Sequence, residues 1–119
     1  MRDLKLAESD YAFMETIWEN EPVGSMALVK LCEAKLGWKK STTFTMIRKM
    51  CDKGMAKNEN AVVSSLVTKE EVEAYRSNHI VSSTFHGSLP RFLAAFLGNK
   101  SLSKEEADEL RELIDKHED

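Results

Sequence analysis

The stretch WKKSTTFTMIRKMCDKGMAKNENAVV, residues 38–63, joins a basic segment with hydroxyl side chains to a polar turn followed by valines. Residues 35–57 carry seven basic side chains against one acidic residue, Asp52, whereas the whole chain of 119 residues has a net charge of -3. A negative charge spread evenly over the surface would disfavour binding to nucleic acid. A polyanion responds to the local electrostatic potential, however, and this segment is locally positive. The stretch is therefore either the solvated face of an ordinary helix or a surface for phosphates.

Three helical patterns and a short hairpin are predicted in the N-terminal half. The helices are expected to begin at three N-cap candidates, and the second and third to stop at glycines: Ser9, Ser25 and Ser41, then Gly37 and Gly54. Beyond the third helix, two short segments flank a predicted turn at residues 58–60, and the second segment is rich in valine. Three short helices followed by a hairpin indicate a winged helix-turn-helix.

The third helix, predicted over residues 41–54, has the residue types that read DNA in the major groove. Small hydroxyl side chains in its first turn approach base edges closely, and Arg48 has a planar fork that matches guanine. The predicted DNA-binding residues are Lys39, Lys40, Ser41, Thr42, Thr43, Thr45, Arg48 and Lys49. Of these, Thr42, Thr45 and Arg48 are expected to read bases, and Lys39, Lys40 and Lys49 to hold the backbone. The alternative is a winged helix that binds an acidic protein through the same surface.

The C-terminal half is predicted to be helical. Thr68 with Glu71, and Ser103 with Glu106, match the capping-box pattern, and Gly87 ends the first of the two helices that they begin. The segment SLPRFLAAFLGN predicts a short apolar helix between them.

An apolar cluster in this half exceeds what a lobe of about 50 residues buries alone. Its members are Phe85, Leu89, Phe92, Leu93, Phe96, Leu97, Leu110, Leu113 and Ile114. They form either a core with residues 1–68 or a homodimer seam, which we favour because two-fold proteins read palindromes. The predicted fold class is mainly α with a small β-hairpin: a winged helix-turn-helix lobe, residues 1–68, and a C-terminal helical dimerisation lobe, residues 69–119.

Other classes of function find little support. Cys51 with a histidine would be an enzyme's nucleophile pair, but Cys51 lies on the apolar side of its helix and no oxyanion motif accompanies it. His79 and His86 lack ligand partners at metal spacing, so neither a metal nor a cofactor is predicted. Cys32 and Cys51 are expected in the core. No apolar run reaches the ~20 residues that span a bilayer, and no signal-peptide pattern is present, which predicts a cytoplasmic protein without membrane insertion.

Three segments carry a resemblance to a family of regulators: LAESDYAFMETIWENEPV, STTFTMIRKMCDKGMA and GSLPRFLAAFLGNKSLSKEEADELRELI. They look like the penicillinase and methicillin-resistance repressors, the BlaI/MecI/CopY group, in the same order over nearly the whole chain. The more specific residues are Met14 and Trp18 in the first helix and Ser41, Thr42, Thr45, Lys53 and Gly54 in the third.

The resemblance implies a homodimeric winged-helix transcriptional repressor that binds a palindromic operator in double-stranded DNA. In several members a membrane sensor protease ends repression by cutting the C-terminal lobe. That cut aligns here with Ala95 and Phe96, where the usual Asn is absent. The Cys-rich tail of the copper-responsive branch is also absent. The segment NENAVVSSLV has no Lys or Arg, so weaker phosphate clamping by the wing is expected.

Overall fold

The computed structural model describes residues 4–119, which form two compact units, one extending to His79 and the other comprising Ile80–Asp119. The elements in chain order are α1 Glu8–Asn20, β1 Val23–Gly24, α2 Ser25–Leu36, α3 Lys40–Asp52, β2 Ala56–Glu59, β3 Val62–Ser65, α4 Lys69–Thr84, α5 Leu89–Leu97 and α6 Lys104–His117. These helices and strands confirm the predicted mainly-α fold with a winged helix. Within the described range, no helix is long and apolar enough to cross a bilayer.

The first three helices begin at or before their predicted caps. The residues at the cap positions have extended backbone and no side-chain capping bond: they are Ala7, Gly24 and Lys39. The predicted caps therefore lie inside the first turns, and backbone geometry rather than a hydroxyl sets each start. The predicted stop of α2 is confirmed, since Gly37 has a φ of +68°, its N–H donates to the carbonyl of Glu33, and the N–H of Trp38 donates to the carbonyl of Cys32.

The sheet has three strands rather than the two of the predicted hairpin. Its order is β1-β3-β2, because the Val23–Gly24 segment pairs antiparallel with β3. The wing, the hairpin of β2 and β3 over residues 56–65, turns at Asn60 and Ala61 and not at residues 58–60 as expected. Both turn residues have positive φ, 52° and 62°. A two-residue turn of this kind matches the right-handed twist of the strands, which fixes the register.

The core of the first unit is formed by α1, α2 and α3 together with the sheet and the start of α4. Its fully buried side chains include Phe13, Met14, Ile17, Leu28, Cys32, Met50, Met55, Val63 and Val72. Two polar contacts join the wing and the residues that follow it to α1 and the segment after α1. Trp18 Nε1 donates to the carbonyl of Val67 at 3.0 Å, and the Glu21 carboxylate accepts from the Ser65 amide at 2.7 Å.

The second unit contains α5 and α6, neither of which has a buried residue. The predicted cap of α6 is confirmed, because the Glu106 amide donates to Ser103 Oγ at 3.1 Å. In the first unit the capping box of α4 is confirmed too, with the Glu71 amide donating to Thr68 Oγ1 at 3.0 Å. Gly87 follows α4 with a φ of +81°, as its predicted role as a helix stop requires.

Candidate nucleic-acid interface

Helix α3 presents a polar row to solvent and buries the opposite side. Thr43, Ile47 and Met50 are buried, and the helix lies against α2, from which a turn at residues 37–39 separates it. Ser41, Thr45 and Arg48 are exposed and follow one another at spacings of four and three residues, so they lie on one face. We call this set the recognition row. A helix fixed by its apolar side thus offers two hydroxyls and a guanidinium outward.

The N-terminus of α3 is basic and open. Lys39 and Lys40 are both exposed, and Lys40 Nζ lies 5.9 Å from the centre of the Phe44 ring. Thr42 is exposed on the flank of the recognition row. The first amides of a helix lack intrahelical acceptors and carry positive potential, so this end combines unpaired N–H groups with two ammonium groups. Such an end suits a phosphate.

The structure does not bring Thr43 to this surface. Its side chain is fully buried, and among the described residues no group forms a hydrogen bond of standard geometry with its Oγ1. The Cys32 thiol lies beside that hydroxyl, but a thiol is a weak partner. The inclusion of Thr43 in the predicted DNA-binding set is therefore corrected: the residue belongs to the packing of α3 against α2, because the helical period turns it inward.

Lys49 also has an intramolecular partner. Its ammonium lies 3.0 Å from Asp10 Oδ1, and the Asp10 side chain is only 4% exposed whereas that of Lys49 is 49% exposed. Asp10 was not among the predicted site residues. The signal was present, since Asp10 shares the buried stripe of α1 with Phe13, Met14 and Ile17. A carboxylate buried on an apolar stripe requires a partner of opposite charge.

Two further pairs reduce the basic surplus of residues 35–57. Lys35 pairs with Glu19 at 3.0 Å, and Lys57 pairs with Glu59 within β2 at 3.6 Å. Both pairs are exposed and so contribute little to stability. They matter here because the lysine of the wing has an acidic neighbour, which leaves α3 as the more positive of the two elements.

The predicted dimerisation residues all lie in or next to α5 and α6. Six of them, Leu89, Leu93, Leu97, Leu110, Leu113 and Ile114, line an open cavity of about 530 Å³, which we call the apolar groove. The other three form an aromatic row in which Phe92 contacts Phe85 at 5.5 Å and Phe96 at 5.9 Å between ring centres. Ala95 and Phe96, the aligned cleavage position, are exposed on α5.

The cysteines and histidines form no reactive centre in the described range. Cys32 is buried, as the sequence predicted, whereas Cys51 is only half-buried and packs against the core; burial raises the pKa of each thiol. For Cys32 the adjacent Thr43 hydroxyl and the charge of Lys35 oppose that rise without cancelling it. His79 stacks on Tyr75, with ring centres 6.1 Å apart. Among the described residues, no cluster of three His, Cys, Asp or Glu side chains has the geometry to hold a metal ion.

The chain is similar to known repressors over nearly its whole length. The profile of the penicillinase repressor family matches residues 6–116. The methicillin resistance regulatory protein MecI of Staphylococcus aureus is 22% identical over 116 residues, covering 94% of each chain. The penicillinase repressor of Bacillus licheniformis is 20% identical over 117 residues, covering 95% of this chain and 91% of its own. These matches confirm the resemblance. Because the family profile covers so much of the sequence, the chain belongs to the penicillinase repressor family of transcriptional repressors, which are regulatory proteins rather than enzymes.

Proposed function

We propose that the chain is a homodimeric repressor that binds a palindromic operator in double-stranded DNA through α3. The observation that carries this proposal is the exposed recognition row, Ser41, Thr45 and Arg48, on a helix anchored by buried Ile47 and Met50. Within residues 4–119 no ion pair involves the Arg48 guanidinium, so its donors are available to a base or a phosphate.

The proposed contacts divide by chemistry. Thr42, Thr45 and Arg48 read bases, because hydroxyls and a planar fork can follow the donor and acceptor pattern of the major groove. Lys39 and Lys40 hold phosphates at the helix N-terminus. The wing contributes less, since its only lysine in β2 is paired with a glutamate.

The second unit supports a dimer. It contains 40 residues by its bounds, Ile80–Asp119, a size at which isolated chains need a metal, disulfides or a partner to stay folded. Leu89, Leu113 and Ile114 are 55%, 54% and 58% exposed, although they line one continuous apolar groove. A second copy placed on this groove would bury it and would set two α3 helices at the half-sites of a palindrome. The division into residues 1–68 for DNA and 69–119 for dimerisation is part of this proposal.

DNA binding is tested first with duplexes selected by the protein from a random pool. Arg48→Ala is expected to lose about 1–3 kcal/mol on the selected site and much less on random duplex. Arg48→Lys is the matched control, because it keeps the charge but not the fork, and it should lose specificity while retaining random binding. Equal losses on both DNAs would reassign Arg48 to phosphate. Absence of any salt-dependent binding to random duplex by the wild-type protein would favour the alternative, an interaction module for an acidic protein.

The dimer is tested by sedimentation. The wild-type protein should have about twice the 13.5 kDa mass of the chain. Ile114→Glu should produce monomer, since the seam would bury an unpaired charge, and should leave the chain folded because the site is open in the single chain. Lys116→Glu places the same side chain on α6 outside the residues that line the groove and should remain dimeric. A monomeric wild-type protein well above micromolar concentration would refute the proposal.

Release by proteolysis is proposed through α5. A cut between Ala95 and Phe96 would separate the Leu89 and Leu93 end of the groove from α6. Because α5 has no buried residue in the single chain, its local opening is inexpensive. A chain ending at Ala95 should keep the melting transition of the first unit but lose nanomolar operator binding, since two half-sites act together only in a dimer. Dimeric binding at wild-type affinity by that shortened chain would rule out cleavage as the release step.

A further inference from the structure

The ion pair between Asp10 and Lys49 lies at the edge of the proposed DNA-reading surface. Lys49 borders, with Thr45 and Arg48 of the recognition row, a shallow cavity of about 430 Å³ on the outer side of α3. Its side chain is half-exposed, so by position alone it would reach a phosphate. Its ammonium lies instead 3.0 Å from the carboxylate of Asp10 in the first turn of α1.

The two partners differ in burial, and this difference decides whether the Lys49 ammonium stays with Asp10 or moves to a phosphate. Asp10 is 4% exposed, and its second carboxylate oxygen faces the Ala7 amide at 3.4 Å, a long contact. Moving Lys49 to a phosphate would leave a buried carboxylate without its cation. That loss exceeds what one contact with a phosphate, screened by solvent and salt, returns.

A second lysine, one turn further along the chain, also turns its ammonium group toward the N-terminal part of the protein. The Lys53 ammonium donates to the backbone carbonyl of Lys5, and Lys49 and Lys53 are four residues apart on one flank of the helix. This flank therefore faces the N-terminal segment and the start of α1, whereas the recognition row faces outward.

We infer that Asp10 is a positioning residue for operator recognition, which withholds the Lys49 ammonium from the DNA backbone and thereby keeps sequence-independent binding low. The inference rests on the proposed function, because it requires α3 to contact DNA. Its consequence is a smaller number of phosphates contacted by the protein, which the salt dependence of binding measures. Each lysine that contacts a phosphate adds about 0.9 to the slope of log K against log salt, and Lys49 adds nothing while Asp10 holds it.

The test compares three proteins on random duplex at several salt concentrations: wild type, Asp10→Asn, and Asp10→Asn with Lys49→Met. Asp10→Asn should steepen the salt slope by about 0.9, and at 0.1 M salt it should bind random duplex roughly five- to tenfold more tightly. The double variant should return to the wild-type slope. The preference of Asp10→Asn for the selected site over random duplex should fall. A purely structural defect could lower this preference, but it would not also tighten binding to random duplex.

Two results would overturn the inference. One is an Asp10→Asn slope equal to that of the double variant, with both proteins folded by circular dichroism. The other is a double variant whose slope is shallower than wild type by about 0.9, which would mean that Lys49 already contacts phosphate. The second comparison remains decisive if Asp10→Asn alone does not fold. If the wild-type protein shows no salt-dependent DNA binding, the proposed function fails, and that outcome is distinct from both.

Discussion

Replacing Thr43 by valine separates burial from DNA contact on α3. The Thr43 side chain is fully buried and its Oγ1 lacks a hydrogen bond of standard geometry within the described range. Leaving a buried hydroxyl unpaired costs about 1–3 kcal/mol, and valine has nearly the same shape without the hydroxyl. We therefore expect Thr43→Val to raise the free energy of unfolding by about 1 kcal/mol. For a unit of this size the midpoint of thermal unfolding should rise by about 4–8 °C.

Thr45→Val is the matched control, since it makes the same chemical change two residues later on the exposed face. The helix propensities of threonine and valine are close, so its stability should change by no more than about 0.5 kcal/mol. Its loss should appear in binding instead, at about 1 kcal/mol on the selected operator, because in the proposed complex the exposed hydroxyl faces the major groove of the DNA. Thr43→Val should leave operator affinity unchanged.

The two variants are measured by thermal melting followed by circular dichroism and by titration of labelled duplex. An operator affinity that falls as much in Thr43→Val as in Thr45→Val, with no change in melting temperature, would refute the reasoning from burial. The Thr43 hydroxyl would then have to reach the DNA. A stability loss above about 1 kcal/mol would instead mean that the Cys32 thiol satisfies the hydroxyl better than the geometry indicates.

Three other outcomes follow from contacts in the two units. Trp18→Phe should lower the free energy of unfolding in urea by about 1–2 kcal/mol, because it leaves the Val67 carbonyl without its donor at 3.0 Å; an unchanged midpoint would contradict this. Burial raises the pKa of the Cys32 thiol, so the unfolded chain loses that proton first, and stability should fall as pH rises above about 8.5, less so in Cys32→Ala. Ser103→Ala should remove the hydroxyl that accepts from the Glu106 amide and lower the stability of α6 by about 1 kcal/mol. The loss should be seen as reduced helicity of the second unit, and Ser101→Ala should show no such loss.

The fold followed from local signals wherever a signal had one physical meaning. Gly37, the capping box of Thr68 and Glu71, and the cap at Ser103 correspond to geometries that few other residues stabilise, and the structure has each of them. The third strand was missed because Val23–Gly24 is too short to carry a pattern of its own. This strand forms because β3 has an unpaired edge beside it, and that arrangement is decided by the tertiary structure.

The candidate site was less predictable, because the sequence shows how many charged residues a segment contains but not which of them form ion pairs. Lys35, Lys49 and Lys57 were part of the basic surplus, yet each lies within 3.6 Å of a carboxylate. Two of the three partners, Glu19 and Asp10, lie on α1, far away in sequence. Only the intrastrand pair of Lys57 and Glu59 has a spacing visible without the fold.

This pairing bears on how such a repressor would choose its site. Sequence-independent affinity grows with the number of lysines that reach phosphates, and intramolecular pairs lower that number. In the proposed complex, Lys39 and Lys40 would then supply most of the attraction of each protomer to the DNA backbone, and base contacts by Arg48 and its neighbours would carry a larger share of the remainder. A protein with weak half-site affinity depends on presenting two half-sites at once, because the second contact gains from effective concentration. If the apolar groove of the second unit is the dimer seam, as proposed, it is the point at which the whole affinity is most easily lost, because an event that separates two protomers would remove operator binding without changing any residue of α3.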